Sequence, residues 1–426
     1  MVFNLLTFLS VYLVVGEIVI VVFAVIYRSK QKEVAVFTMA LLFKILCTFG
    51  YYIVAISGPA DAGTYYVFAS TRTDPVSITS LFQTSTGFIK AVAAFFYPLV
   101  SFFDNSYLML FIPFSLLGFA GSLLFFKTLQ TVAPANRKIE LYAVSFFLPN
   151  MVFWTSNLGK DSLMYLGIAL VMFGFLAKPK PPKNIIAICL GGLLVFAVRP
   201  HIFLFMLFGF LLGLFMEKRP FSFRSVFLFL MMFATFLLTQ QTILNLVGIR
   251  VQSEDEQQAS VNSYYKAGVS AVETSSKNLN IGGSATGSAH KFNIVYFPYY
   301  LVTFLASPFI WQARKPIQFV SALETIIYQL MILYLCIHWK DVVKISFIRY
   351  KYSWLLYLIV ASIIVGASQT NFGLIVRQRC MVLPVIFLLF TGLRRQLLET
   401  KKKKPHKQKA DLYSAFNKKA VPNAQT

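Results

Sequence analysis

The chain has 426 residues, 57% of them hydrophobic and 13% charged, with a formal net charge of +23. Soluble globular chains carry about 25% charged residues, so this balance argues against an ordinary soluble domain. Nor does the charge call for nucleic acid, because Lys401–Lys404, Lys407 and Lys409 lie beyond the last apolar block and read as a tail near anionic lipid.

The apolar residues come in blocks of the length that a bilayer core requires of a helix. In chain order the expected spans are 5–27, 34–56, 107–126, 139–155, 161–177, 184–198, 201–216, 224–244, 318–337, 352–371 and 380–396, eleven in all. The first block has no basic leader and no small-residue cleavage site, so it reads as a retained helix. Two further stretches, 87–103 and 292–311, are apolar but interrupted by Pro98, Pro298 and Pro308. Treating both as re-entrant or interfacial gathers most Lys and Arg on one face, as the positive-inside rule asks. The expected fold is an all-α polytopic membrane protein with its N-terminus outside and its C-terminus cytoplasmic. Residues 1–400 form one membrane domain with outer loops 57–106 and 245–317, and 401–426 form a basic tail.

Chemistry-bearing residues collect on the expected outer face. In PADAGTYY, Asp61 either activates a hydroxyl or caps a helix. Tyr65 and Tyr66 beside it can stack on sugar rings. In FWTSNLGKDSLMY, Asp161 opens a helix, where negative charge is favoured anyway, and Lys160 suits a phosphate or carboxylate. In FAVRPHIF, Arg199 and His201 separate two apolar blocks, and an arginine so placed must pair, snorkel or face a polar cavity. Arg377 and Arg379 enter the last block in NFGLIVRQR, where their forked donors suit a diphosphate or, on the plainer reading, lipid phosphates. Glu324 lies inside an apolar block, either as a reactive carboxylate or as a partner to Arg314 or Arg377. The four cysteines and four histidines show no CxxC or HExxH spacing, so neither a metal nor another cofactor is expected. Basic groups amid apolar helices point to a polyprenyl-phosphate-linked glycan as ligand.

The stretches FLPNMVFWTSNLGKDSLMYLGIAL, VRPHIF, ASPFIW…LETI and NFGLIVRQR resemble those of bacterial polysaccharide or O-antigen polymerases. The resemblance implies an inner-membrane glycosyltransferase, related to GT-C-type folds, that joins undecaprenyl-diphosphate-linked repeat units for exopolysaccharide, capsule or O-antigen. It implies that Arg199, Arg377 and Arg379, with Lys160 and Arg314, hold the diphosphate, and that Asp61, Asp161 or Glu324 is the base. Tyr65, Tyr66 and His201 would face the glycan. Export or chain-length-control proteins are the implied partners. The alternatives are a single-sugar transferase using a polyprenyl-phosphate donor, a lipid-linked glycan transporter, or a structural subunit of an export complex.

Overall fold

The computed structural model describes residues 2–58, 60–72, 86–134, 138–177, 181–217, 294–313, 316–369 and 371–419. The described regular structure is helical throughout. The outer loop expected at 245–317 is described only from residue 294 on, and the span expected at 224–244 lies outside the described residues.

The first two helices, α1 (Val2–Tyr27) and α2 (Gln31–Ser57), form a hairpin. It turns at Arg28, whose φ of 50° is left-handed, while Ser29 N–H donates to the Ala24 carbonyl at 3.0 Å. A 6→1 bond across a left-handed residue is a common helix ending. Along α2 the buried positions Phe37, Ala40, Leu41, Lys44, Ile45, Thr48, Tyr51 and Ala55 recur every three or four residues, the signature of one inward face. Short helices α3 (Asp61–Thr71) and α4 (Gly87–Val100) pack on each other before α5 (Ser106–Val132) begins. Asn105 starts α5 by accepting from the Leu108 N–H at 3.1 Å.

The central helix is α5, which packs against α1, α2, α4, α6 (Lys138–Phe146), α8 (Lys160–Leu176) and the last helix. Between α6 and α8, Pro149 opens the six-residue α7 (Pro149–Trp154), as a proline at the first helical position does. Helix α9 (Pro181–Val198) lies along α8, and α10 (Pro200–Glu217) lies along α14 (Lys351–Ser368). Glycines permit both approaches. A Cβ on Gly191 would sit 2.6 Å from the Gly167 carbonyl oxygen, and one on Gly209 would sit 2.7 Å from the Tyr357 nitrogen. The remainder comprises α11 (Phe297–Ala306), α12 (Pro316–Ile337), α13 (Trp339–Val343), α15 (Phe372–Arg379) and α16 (Leu383–Lys419). Helices α15 and α16 are bent by 54° about residues 380–382.

The expectation of eleven spans and a GT-C-related architecture is corrected here. Among the described residues five helical segments are long and apolar enough to cross a membrane: Leu5–Tyr27, Gln31–Ser57, Ser106–Val132, Gln318–Ile337 and Lys351–Ser368. The bent pair α15–α16 raises the number to six if it is a single span. The physical reason is interruption. The block 139–155 breaks before Pro149 into α6, nine residues, and α7, six residues. At 1.5 Å per residue, nine residues reach only about 14 Å, against a bilayer core of about 30 Å. The stretches 87–103 and 292–311 hold helices of 14 and 10 residues, and the apolar runs Pro182–Val198 and Pro200–Leu214 also fall short. With the eleven spans go the alternation of loops from face to face and the inner-membrane placement, N-terminus outside, drawn from it.

Candidate functional site

Asp161 is the centre of a charged cluster assembled from four separate parts of the chain. It lies in the first turn of α8, fully buried. The preceding loop, Thr155 to Gly159, is itself buried and satisfies its own polar groups. Thr155 Oγ1 donates to Met151 O at 2.7 Å, Ser156 Oγ to Val152 O at 2.6 Å, and Ser162 Oγ to Asn157 O at 2.8 Å. Asn157 Nδ2 then donates to Asp161 Oδ2 at 3.0 Å. A buried loop can persist only when its groups are paired in this way.

Two arginines close on the carboxylate. Arg199, at the break between α9 and α10, places Nη2 3.0 Å from Asp161 Oδ1. Arg377, in the last turn of α15, donates from Nε to Asp161 Oδ2 at 2.5 Å. Its Nη1 lies 3.5 Å from Asp61 Oδ2 at the start of α3. The Asp61 side chain remains 58% exposed and forms the open edge of the cluster. The Arg377 guanidinium also lies 5.8 Å from the centre of the Trp154 ring, which packs against Tyr51. Burial by itself would raise the Asp161 pKa, but the Arg377 and Arg199 charges outweigh it and hold the carboxyl below its ordinary value.

Several donors around this core have no hydrogen-bond partner among the described residues. The side chain of Lys160, half-buried at the N-terminus of α8, makes no hydrogen bond or ion pair with another described residue. Burial, and then the Arg199 charge, push its pKa below the ordinary lysine value, while Asp61 acts in the opposite direction. The Tyr65 hydroxyl and the Trp154 indole N–H are buried and unpartnered. Burial, and then Asp61, raise the Tyr65 pKa. His201, at the start of α10, is pushed down to about 3 by burial and by Arg199 and Lys160, so it is uncharged at neutral pH. Lys160, Arg199 and Arg377 against Asp61 and Asp161 leave three positive charges facing two negative ones, a net +1.

The other candidates lie apart from this cluster. Arg379 is 1% exposed and donates to the Phe304 carbonyl at 2.9 Å, to Thr325 Oγ1 at 3.0 Å and to the Ser307 carbonyl. It thus ties the C-terminal end of α11 to α12. Glu324 accepts the Asn150 N–H at 2.7 Å, at the start of α7, and the Tyr328 hydroxyl. The Tyr328 ring stands 5.9 Å from the Arg379 guanidinium. Tyr66 hydrogen-bonds Ser106 Oγ at 2.8 Å and packs on Tyr107. Arg314 lies outside the described residues. Among the described residues no three His, Cys, Asp or Glu side chains are grouped as a metal site.

Asn157 and Trp154 belong to the cluster and were not singled out in the sequence. The four-residue spacing of Asn157 and Asp161 was a usable sign; nothing local marks Trp154, which arrives only through the packing of α7 against α15.

No protein family, curated protein or solved structure significantly matches this chain. The resemblance to polysaccharide and O-antigen polymerases is accordingly withdrawn, and with it the polymerisation of lipid-linked repeat units at the outer face of a membrane. The packing shows short helices where that multi-span architecture needs long ones.

Proposed function

We propose that the Asp161 cluster binds a phosphate or diphosphate group. The observation that carries this reading is the set of unsatisfied donors, Lys160, Tyr65 and Trp154, beside a carboxylate whose charge two arginines already oppose. Buried donors without acceptors are costly and uncommon in folded proteins. A tetrahedral anion is the ligand that meets several donors at once, and the N-terminus of α8 adds its own attraction for negative charge. The Trp154 and Tyr51 rings beside the site suit an organic group esterified to that phosphate.

The same arrangement supports a catalytic reading. Fixed positive charge stabilises a phosphate as it leaves, and Asp61, exposed and paired with Arg377, would take the proton of an incoming hydroxyl. In such a transfer the hydroxyl oxygen bonds to the transferred group, its proton passes to Asp61, and the bond from that group to the phosphate oxygen breaks with its electron pair staying on the phosphate.

Calorimetric titration of the purified full chain with inorganic diphosphate tests the binding reading. Saturable binding is expected, weakened at least about tenfold by Lys160→Ala, which removes a charge–anion contact worth about 1.5–3 kcal/mol. The melting temperature of that variant should match wild type, because the Lys160 side chain holds no hydrogen-bond or ion-pair partner among the described residues. Binding unaffected by the substitution would show that the cluster is only a structural ion pair.

A further inference from the structure

The end of the bundle opposite the Asp161 cluster carries a basic hollow. It is a cavity of about 300 Å³ lined by Arg28, Lys30, Glu33, Lys127, Gln130 and Lys138, among others. Helix α2 starts there and runs 27 residues toward Asp61, so the two sites stand about 40 Å apart. Glu33 is 5% exposed and internally committed. Its carboxylate meets Lys138 at 3.1 Å and Lys127 at 3.8 Å, and accepts from Gln130 at 3.1 Å.

One carboxylate therefore faces four cations. Arg28 and Lys30 make no side-chain hydrogen bond or ion pair with another described residue. Lys30 is the N-cap of α2 and supplies no side-chain acceptor to the helix's first N–H groups. Two features therefore converge on this open hollow: surplus positive charge, and a helix start without a side-chain cap, whose partial charge is also positive. The buried Glu33 carboxylate pairs with two of the cations, so the hollow is more than a run of separate lysines.

We propose that this cavity is a second binding site, for a phosphate-bearing anion, held by Arg28 and Lys30 over the Glu33–Lys127–Lys138 floor. The phosphate has two possible sources, a soluble phosphate compound or a lipid headgroup presented at the ends of α1 and α2. The ligand chemistry is the same in both cases.

The test uses the full chain in the Lys160→Ala background, where binding at the Asp161 cluster is weakened, and reads the loss caused by changes at Arg28 and Lys30 alone, so the two readings fail separately. One arm titrates inorganic diphosphate; the other measures partition onto vesicles of phosphatidylglycerol against phosphatidylcholine. Saturable binding in either arm is expected to fall at least about tenfold in Arg28→Glu/Lys30→Glu, since ionised contacts are the stronger hydrogen bonds. The milder Arg28→Gln/Lys30→Gln should show a smaller loss in the same arm. The equal charge change Lys340→Glu/Lys344→Glu, at exposed lysines away from the cavity, should leave that binding within about twofold. A loss confined to diphosphate assigns a soluble ligand, and one confined to phosphatidylglycerol vesicles a headgroup. Binding in neither arm, or an equal loss in the Lys340/Lys344 control, overturns the proposal.

Discussion

Asp161 shows how much a single buried carboxylate can decide. Its two oxygens are shared among Arg199, Arg377 and Asn157, so three distant pieces of chain meet on one atom pair. Asp161→Asn keeps the shape and removes the charge, leaving two guanidinium groups short of their counter-ion. Breaking a buried ion pair from one side costs about 3–5 kcal/mol, and the variant should unfold at correspondingly lower denaturant. The pH dependence follows from the direction of the shift. The folded pKa lies below the unfolded value of about 3.9. The stabilisation is therefore complete above that value and is lost as pH falls through the folded pKa. The gap between wild type and Asp161→Asn should be fully open near pH 7 and should narrow below about pH 4. An equal gap at both pH values would mean that the asparagine disturbs packing and not charge. Arg199, Arg377 and Lys160 stand out in the sequence because charges beside apolar blocks demand partners. The pairing itself was not legible there, since Arg199 and Arg377 are joined to Asp161 across 38 and 216 residues.

At the scale of helices, the contact of α8 with α9 makes a sharper demand than hydropathy conveys. The ideal Cβ of Gly191 falls 2.6 Å from Gly167 O and 2.8 Å from Val171 N, both backbone atoms that can yield only if the helices part. Its neighbour Gly192 would place a Cβ 3.5 Å from Phe203 Cε2, an ordinary contact. Gly191→Ala should therefore destabilise by about 1–3 kcal/mol, whereas Gly192→Ala should be neutral or gain up to about 1 kcal/mol from helix propensity. Equal effects in chemical denaturation would remove the close approach as the explanation. The same comparison explains where reading spans from the sequence went astray. Apolar composition marks a residue that avoids water and is silent on whether lipid or protein covers it. In the most apolar part of α5, 78% of residues are buried within the protein, against 22% for α1, although both pass as spans. Proline was the more telling sign. Pro149 ends one helix and begins another, so the block expected to cross at 139–155 is two short pieces. The spans at 5–27, 34–56, 107–126, 318–337 and 352–371 do correspond to long apolar helices, because no such interruption falls within them beyond Pro113, which α5 accommodates.

Across the whole molecule the packing has a centre and a rim, and the four cysteines sample both. In the sequence they are alike, each in or beside an apolar block. In the fold Cys380 is 1% exposed at the bend between α15 and α16, three residues from Arg377. Cys189 on α9 and Cys336 on α12 are exposed, and Cys47 on α2 is intermediate. A small uncharged maleimide reaches thiols on an apolar rim as well as in water, so its rate reports protein packing. Modification followed by mass spectrometry should label Cys189 and Cys336 first and Cys47 later. Cys380 should react only as fast as the fold opens, because a thiol enclosed by protein must wait for unfolding. Its rate should therefore rise in Asp161→Asn, which loosens the cluster that Arg377 joins, while the rates at Cys189 and Cys336 stay unchanged. Rapid labelling of Cys380 in the wild type would place the packed centre somewhere other than α5, α8 and the α15–α16 bend. It would also detach the Asp161 cluster from the rigid frame that positions it.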